Sequence, residues 1–148
     1  STMHADSVDT MIKRLETAPI ELSPTLVNTL DCVAIMTHAI VKNRETRRLR
    51  EIVEIINVKS DGTALVNTPF SWNPAQDIFY YKKESKVFEK ISVRYGIPLE
   101  NLQREFLRRA KLLYTLYQKK IFGFEQMKKI VNEYYENPSF VLKQYGIE

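Results

Sequence analysis

The sequence predicts an α+β fold, a mostly antiparallel sheet followed by a helical tail. Three observations carry that reading. Apolar residues alternate with period 2 through much of residues 31–81, and the spacing changes to period 3.6 from Ser85 onward. Between two of the alternating runs stands Asp61-Gly62, a dipeptide suited to a tight hairpin. Strands that come first and helices that come after describe a segregated α+β chain.

Ser7 to Thr17 reads as a short helix with Val8, Met11, Ile12 and Leu15 on one side. Ala18-Pro19 ends it, because a residue before proline is pushed out of the helical region. Ser23-Pro24 has the form of an N-cap followed by proline at the first helical position, opening a turn or two through Leu30. Asp31 to Val41 reads as a strand that is apolar on both faces, so cover on both sides is expected. His38 falls within it and is expected to be a core histidine. Lys42 to Glu45 turns the chain, and Thr46 to Val58 returns. Asp61-Gly62 leads into Thr63 to Trp72, and Asn73-Pro74 turns into a short strand at Ile78 to Tyr81.

The tail is expected to hold three helices. Val87, Phe88, Ile91 and Tyr95 define the first, which stops at Gly96. Pro98 opens the longest, with Leu99, Leu102, Phe106, Ala110, Leu113 and Tyr117 as its buried stripe and Lys119 and Lys120 in its last turn. Phe124, Met127, Ile130, Val131 and Tyr134 define the third, with Pro138 at its end or at a kink. The expected organisation is residues 1–83 for the sheet and its basic hairpin, and residues 84–148 for the helices.

Composition narrows the chemistry. The 148 residues contain one cysteine, Cys32, which excludes a disulfide framework and a multi-cysteine zinc site. A reducing, intracellular setting is the expectation that follows. Residues 32–41 form an apolar stretch without Asp, Glu, Lys or Arg, too short for a membrane helix of about 20 residues. The chain opens on polar residues without an initiator Met, so a longer parent is expected. The net charge of +4 is uneven: residues 1–70 carry eight basic and nine acidic side chains, residues 71–148 fourteen and nine. Amphipathic helices with lysine-rich solvated faces account for the basic half.

No G-x-x-x-x-G-K-[ST] or G-x-G-x-x-G phosphate loop is present, and the four glycines are scattered. Two histidines and one cysteine supply no metal-ligand spacing, so no metal site is expected. Two places invite an anion. Ser1, Thr2 and His4 precede the first helix, where a histidine beside hydroxyls can meet a phosphate or a neighbouring subunit, though an exposed N-terminal histidine is the plainer reading. Lys42, Arg44, Arg47, Arg48 and Arg50 crowd one hairpin with only Glu45 for local relief, so an anionic partner would be stabilising there. A solvated, aggregation-resistant strand edge is the plainer reading of the same cluster. From these residues alone, a nucleotide-dependent enzyme fragment and a basic module for RNA or protein stand level.

A set of short motifs, taken in order, resembles the archaeal secretion and pilus ATPases of the type II/type IV superfamily. Ser1-Thr2-Met3-His4-Ala5 resembles the histidine box of those motors. Arg14-Leu15, Pro19 and Leu30-Asp31 fit the stretch that follows it. Arg47-Arg48 and Glu51-Ile52-Val53-Glu54-Ile55 resemble the family's paired arginines and next strand. Phe70, Trp72, Pro74 and Asp77 match a further pattern in which Asn73 stands where Asp is usual, and Arg108-Arg109, Leu113, Tyr134-Tyr135 and Pro138 match the helical end.

The resemblance implies the C-terminal part of a RecA-like, hexameric P-loop motor at the cytoplasmic face of a membrane assembly platform. ATP and Mg2+ would be bound in the intact parent through a phosphate loop N-terminal to Ser1, with neither expected on this segment alone. His4, with Thr2 second, is implied as γ-phosphate sensor or interdomain contact. Arg47 and Arg48 are implied near nucleotide or a neighbouring subunit. The implied partners are the N-terminal part of the same ATPase, further copies of the motor and the platform protein, with no nucleic acid. For the segment by itself, two-fold self-association through the strand at 31–41 is expected.

Overall fold

The computed structural model describes residues 2–82 and 84–147. It is α+β, with two compact units, Ser1–Arg94 and Tyr95–Glu148. In the first, helices α1 (Val8–Glu16) and α2 (Pro24–Val27) precede strands β1 (Cys32–Val41), β2 (Arg44–Val58), β3 (Ala64–Asn73) and β4 (Ile78–Tyr81). Helix α3 (Lys86–Tyr95) runs up to the boundary. The strands form one antiparallel meander in the order β1-β2-β3-β4.

Local chemistry explains the boundaries. Ser7 Oγ accepts from the Thr10 N–H at 3.1 Å and caps α1. Helix α2 is shorter than expected, ending at Val27 rather than Leu30. Asn28 keeps right-handed helical dihedrals, φ −61° and ψ −12°, and the turn tightens beyond it, the Thr29 and Leu30 N–H groups donating to the Leu26 and Val27 carbonyls at 3.0 Å. The Asn28 amide bonds both backbone groups of Val58, accepting from its N–H at 2.6 Å and donating to its C=O at 3.2 Å. Lys42 and Asn43 both adopt positive φ, 51° and 60°, giving the two-residue turn that matches strand twist, so β2 starts at Arg44. At the next turn Gly62 has φ +80°, and Asp61 Oδ1 accepts from the Thr63 N–H at 2.9 Å.

The core of this unit lies on one face of the sheet. Val8, Met11 and Ile12 of α1 and Val27 of α2 pack with Ile35, Val53, Ile55 and Val58. The expected cover on both faces of β1 is not found. Cys32, Ala34, Met36, His38 and Ile40 are exposed, Met36 at 61% and Ile40 at 76%. His38 is therefore not a core residue. An apolar alternation on both faces shows that a strand tolerates two covers, whereas Met36 and Ile40 lie outside the core that the helices form with the sheet.

At the β3 end of the uncovered face, Glu54 is buried with Asn67 and Ser85. Its carboxylate accepts from Asn67 Nδ2 at 2.8 Å, from the Lys86 N–H at 2.7 Å and from the Ser85 hydroxyl. Ser85 Oγ in turn accepts from the Phe88 N–H at 3.2 Å. One β2 carboxylate thus satisfies the start of α3, where helix N–H groups lack intrahelical partners.

The second unit contains α4 (Leu99–Gln118), α5 (Phe124–Glu136) and α6 (Pro138–Gln144). Its core is Leu112, Leu116, Ile130, Tyr134, Val141 and Leu142. Two expectations need correction. Helix α4 buries Leu112 and Leu116, while Phe106, Leu113 and Tyr117 of the expected stripe are 38%, 54% and 65% exposed. Its apolar residues extend over more than one face, so periodicity alone does not choose the inner one. Pro138 does lie at the end of α5, but it also opens a further helix that was not expected: Asn137 Oδ1 accepts from the Phe140 N–H at 3.1 Å and proline occupies the first turn. Among the described residues four helices, not three, follow the sheet.

Candidate functional site

The segment before α1 is held by two arginines from different elements. Arg14 of α1 donates from Nη1 to the His4 carbonyl, and Arg50 of β2 donates from Nη2 to the Asp6 carbonyl at 2.7 Å. Both bonds reach the backbone, so they fix the path of residues 4–6 without engaging the imidazole. His4 and Thr2 are exposed. A ring on an anchored backbone is available to a ligand or to another chain.

The five hairpin cations separate into two kinds. Arg48 is committed within the chain: Nε donates to Asp77 Oδ1 at 2.8 Å and Nη2 to Asp77 Oδ2 at 3.0 Å, in bidentate geometry. Its Nη1 donates to Thr46 Oγ1 at 2.6 Å and to the Arg47 carbonyl at 3.1 Å. Trp72 Nε1 also donates to Asp77 Oδ1, at 2.9 Å. The Arg48 bond, then the Trp72 bond, hold the Asp77 carboxyl down to about 2. Arg50 is likewise engaged, donating from Nε and Nη2 to Glu51 Oε1 at 3.2 and 2.8 Å.

Lys42, Arg44 and Arg47 are exposed. Arg47 stands across the ladder from His38, with Ile40 across from Glu45. The tip of the β1–β2 hairpin therefore offers cations and one imidazole beside Met36 and Ile40. Arg47 and Arg48, adjacent in sequence and alike in the resemblance, have different situations because one is within reach of Asp77. Neither is brought to His4 by a hydrogen bond or ion pair that the structure displays.

Sequence reasoning did not single out two polar clusters. One is the Glu54 network. The other lies in the second unit, where Glu105 Oε1 accepts from Arg109 Nε at 2.8 Å and from the Tyr134 hydroxyl at 2.9 Å. The Arg109 guanidinium lies 5.6 Å from the Tyr134 ring centroid and 5.5 Å from that of Tyr135. Burial opposes the ionised form of Glu105, but the Arg109 and Tyr134 bonds outweigh it and lower its pKa. A carboxylate four residues before an arginine was the available signal for that cluster. Both clusters join elements internally. Among the described residues no group of His, Cys, Asp and Glu is placed to hold a metal ion. No helix among them is long and apolar enough to cross a membrane.

No family model matches the chain. It is similar to three uncharacterized proteins of Methanocaldococcus jannaschii. Uncharacterized protein MJ1287 is 32% identical over 138 residues, covering 92% of this chain and 50% of the relative. Uncharacterized protein MJ0900 is 28% identical over 141 residues, covering 92% and 26%. Uncharacterized protein MJ0781 is 25% identical over 143 residues, covering 96% and 20%. The chain spans half or less of the length of these curated relatives.

Proposed function

We propose that this chain works as the C-terminal segment of a hexameric, RecA-like ATPase motor that powers protein secretion or the assembly of a type IV pilus or archaellum. The observation that carries the reading is the treatment of His4. Two arginines pin the backbone around it and leave its ring exposed, as suits a residue that acts on something outside this segment. That relatives of very different length share almost the whole chain also supports a module within larger proteins.

In this reading another part of the same motor holds ATP and Mg2+ through its phosphate loop, since nearly all β- and γ-phosphate contacts of such enzymes come from that loop. His4, assisted by Thr2, contacts the γ-phosphate or the neighbouring domain when a subunit pair closes. Arg47, unlike Arg48, has a side chain not tied to Asp77 and faces nucleotide or an adjoining subunit. The motor lies at the cytoplasmic face of the membrane through its platform partner.

The test is Mg2+-dependent ATP turnover, measured on the longer polypeptide carrying this segment and on the segment alone. Turnover by the first and none by the second is expected. An inactive longer polypeptide, or a segment that hydrolyses ATP unaided, overturns the reading. Salt-sensitive RNA binding by the chain, lost when Arg44 and Arg47 are replaced by alanine, would instead favour a basic binding module.

A further inference from the structure

Strand β1 is an outer strand of the sheet, and it carries neither the charges nor the prolines that keep outer strands apart. The sheet order leaves β1 and β4 at the two edges. Strand β4 has four residues, and shortness discourages pairing. Strand β1 has ten, CVAIMTHAIV, with no Lys, Arg, Asp, Glu or Pro among them. Charges, prolines and bulges in the edge strand itself are the usual protections.

The ladder with β2 shows which backbone groups face outward. The Ile55 N–H donates to the Asp31 carbonyl at 3.1 Å. Hydrogen-bonded and non-bonded positions alternate in an antiparallel pair, and although the ladder shifts register between Ile35 and Met36, the extra residue there, Arg50, belongs to β2, so β1 keeps its alternation and its odd-numbered residues bond to β2. The two-residue loop at Lys42-Asn43 closes on Val41 opposite Arg44, which is in the same phase. The N–H and C=O groups of Cys32, Ala34, Met36, His38 and Ile40 therefore point away from the sheet. The same five residues are the exposed ones of the strand.

We propose that β1 pairs antiparallel with β1 of a second copy of this chain, about a two-fold axis through Met36. A two-fold axis normal to the sheet keeps each side chain on its own face, so even-numbered residues meet even-numbered ones. The register that uses the whole strand sets Met36 opposite Met36 of the copy, Ala34 opposite His38 and Cys32 opposite Ile40. It forms about ten backbone bonds between copies, a number typical of a specific interface. Both long edges are consumed and only the short β4 edges remain, which limits assembly to a closed dimer. The inference concerns the chain as it stands and does not rest on the motor reading.

Sedimentation equilibrium of the full chain over a concentration series tests it, with a monomer–dimer equilibrium as the expected result. Met36→Lys places like charges opposite each other on a side chain that is 61% exposed in the single chain; dimerisation should weaken roughly tenfold or more. Ala34→Pro removes one outward N–H from each copy and should also weaken it, with Trp72 fluorescence and far-ultraviolet circular dichroism reporting a retained fold. In a Cys32→Ser background, Met36→Cys should form an interchain disulfide on mild oxidation, since paired Cα atoms lie about 5.5 Å apart. Thr37→Cys should not. A chain that stays monomeric at its highest soluble concentration overturns the proposal. So does a dimer indifferent to Met36→Lys and Ala34→Pro, or one that crosslinks through Thr37 in preference to Met36.

Discussion

Replacing Glu54 by alanine should destabilise the first unit more than any exposed substitution in the hairpin. Glu54 is 4% exposed and its carboxylate accepts three hydrogen bonds, from Asn67 Nδ2, the Ser85 hydroxyl and the Lys86 N–H. Alanine strands donors on Asn67 and Ser85, themselves 7% and 5% exposed. Each stranded buried donor costs about 1–3 kcal/mol, and the lost charge-assisted bonds belong to the stronger class, so a total of about 3–5 kcal/mol follows. Glu54→Gln should cost less, roughly 1–2 kcal/mol, because the amide oxygen keeps an acceptor. Asn67 and Lys86 both bond Oε2 and Ser85 bonds Oε1, so the amide oxygen can keep the first two bonds while the amide nitrogen faces the Ser85 hydroxyl, which must turn from donor to acceptor. Trp72 is the sole tryptophan and lies in the first unit, so its fluorescence follows that unit's urea unfolding without interference from the second. For a unit of this size the alanine variant should melt roughly 15–25 °C lower. A loss below about 0.5 kcal/mol for Glu54→Ala would refute the reasoning, because surface substitutions already span that range.

Three further outcomes are expected. Trp72 fluorescence should titrate in acid with a midpoint near 2. The folded Asp77 pKa is depressed, so the Arg48–Asp77 tie is intact above the ordinary carboxylate range and is lost as pH falls through about 2. Asp77→Asn should remove that transition, and an unchanged titration curve would disprove the assignment. Tyr134→Phe removes the hydroxyl that donates to Glu105 and should cost the second unit about 1 kcal/mol, measured by circular dichroism in urea, with no effect on the Trp72 transition. In the longer polypeptide, His4→Ala should lower kcat by roughly tenfold or more while equilibrium nucleotide binding changes little, the pattern of an interaction made chiefly in the transition state. Unchanged kcat would reduce His4 to a structural role.

Much of the local structure was legible because it depends on neighbours in the chain. Ser7, Asp61-Gly62 and Ser23-Pro24 act within a few residues, and the change from period 2 to period 3.6 marks where strands give way to helices. The basic crowding of the hairpin was legible for the same reason. Its division into committed and available arginines was not, since Arg48 and Asp77 are 29 residues apart and meet only when β3 returns alongside β2. His4 and Thr2 entered through the resemblance, and the pinning of their segment by Arg14 and Arg50 has no periodic signature.

The sequence by itself determined the α+β class, the strand and helix spans to within a few residues, and the absence of a phosphate loop, all properties of near neighbours or of composition. The tertiary structure decided which apolar faces are used. Met36 and Ile40 alternate as a buried strand would, yet no helix of the first unit lies over them. Phe106, Leu113 and Tyr117 keep helical spacing, yet Leu112 and Leu116 face Ile130 and Tyr134. Glu54, unremarkable in an alternating run, became the buried acceptor that starts α3. Periodicity states which side chains can share a surface. Which surface is removed from water depends on the area available to cover it and on the few long-range hydrogen bonds that set the angle of approach.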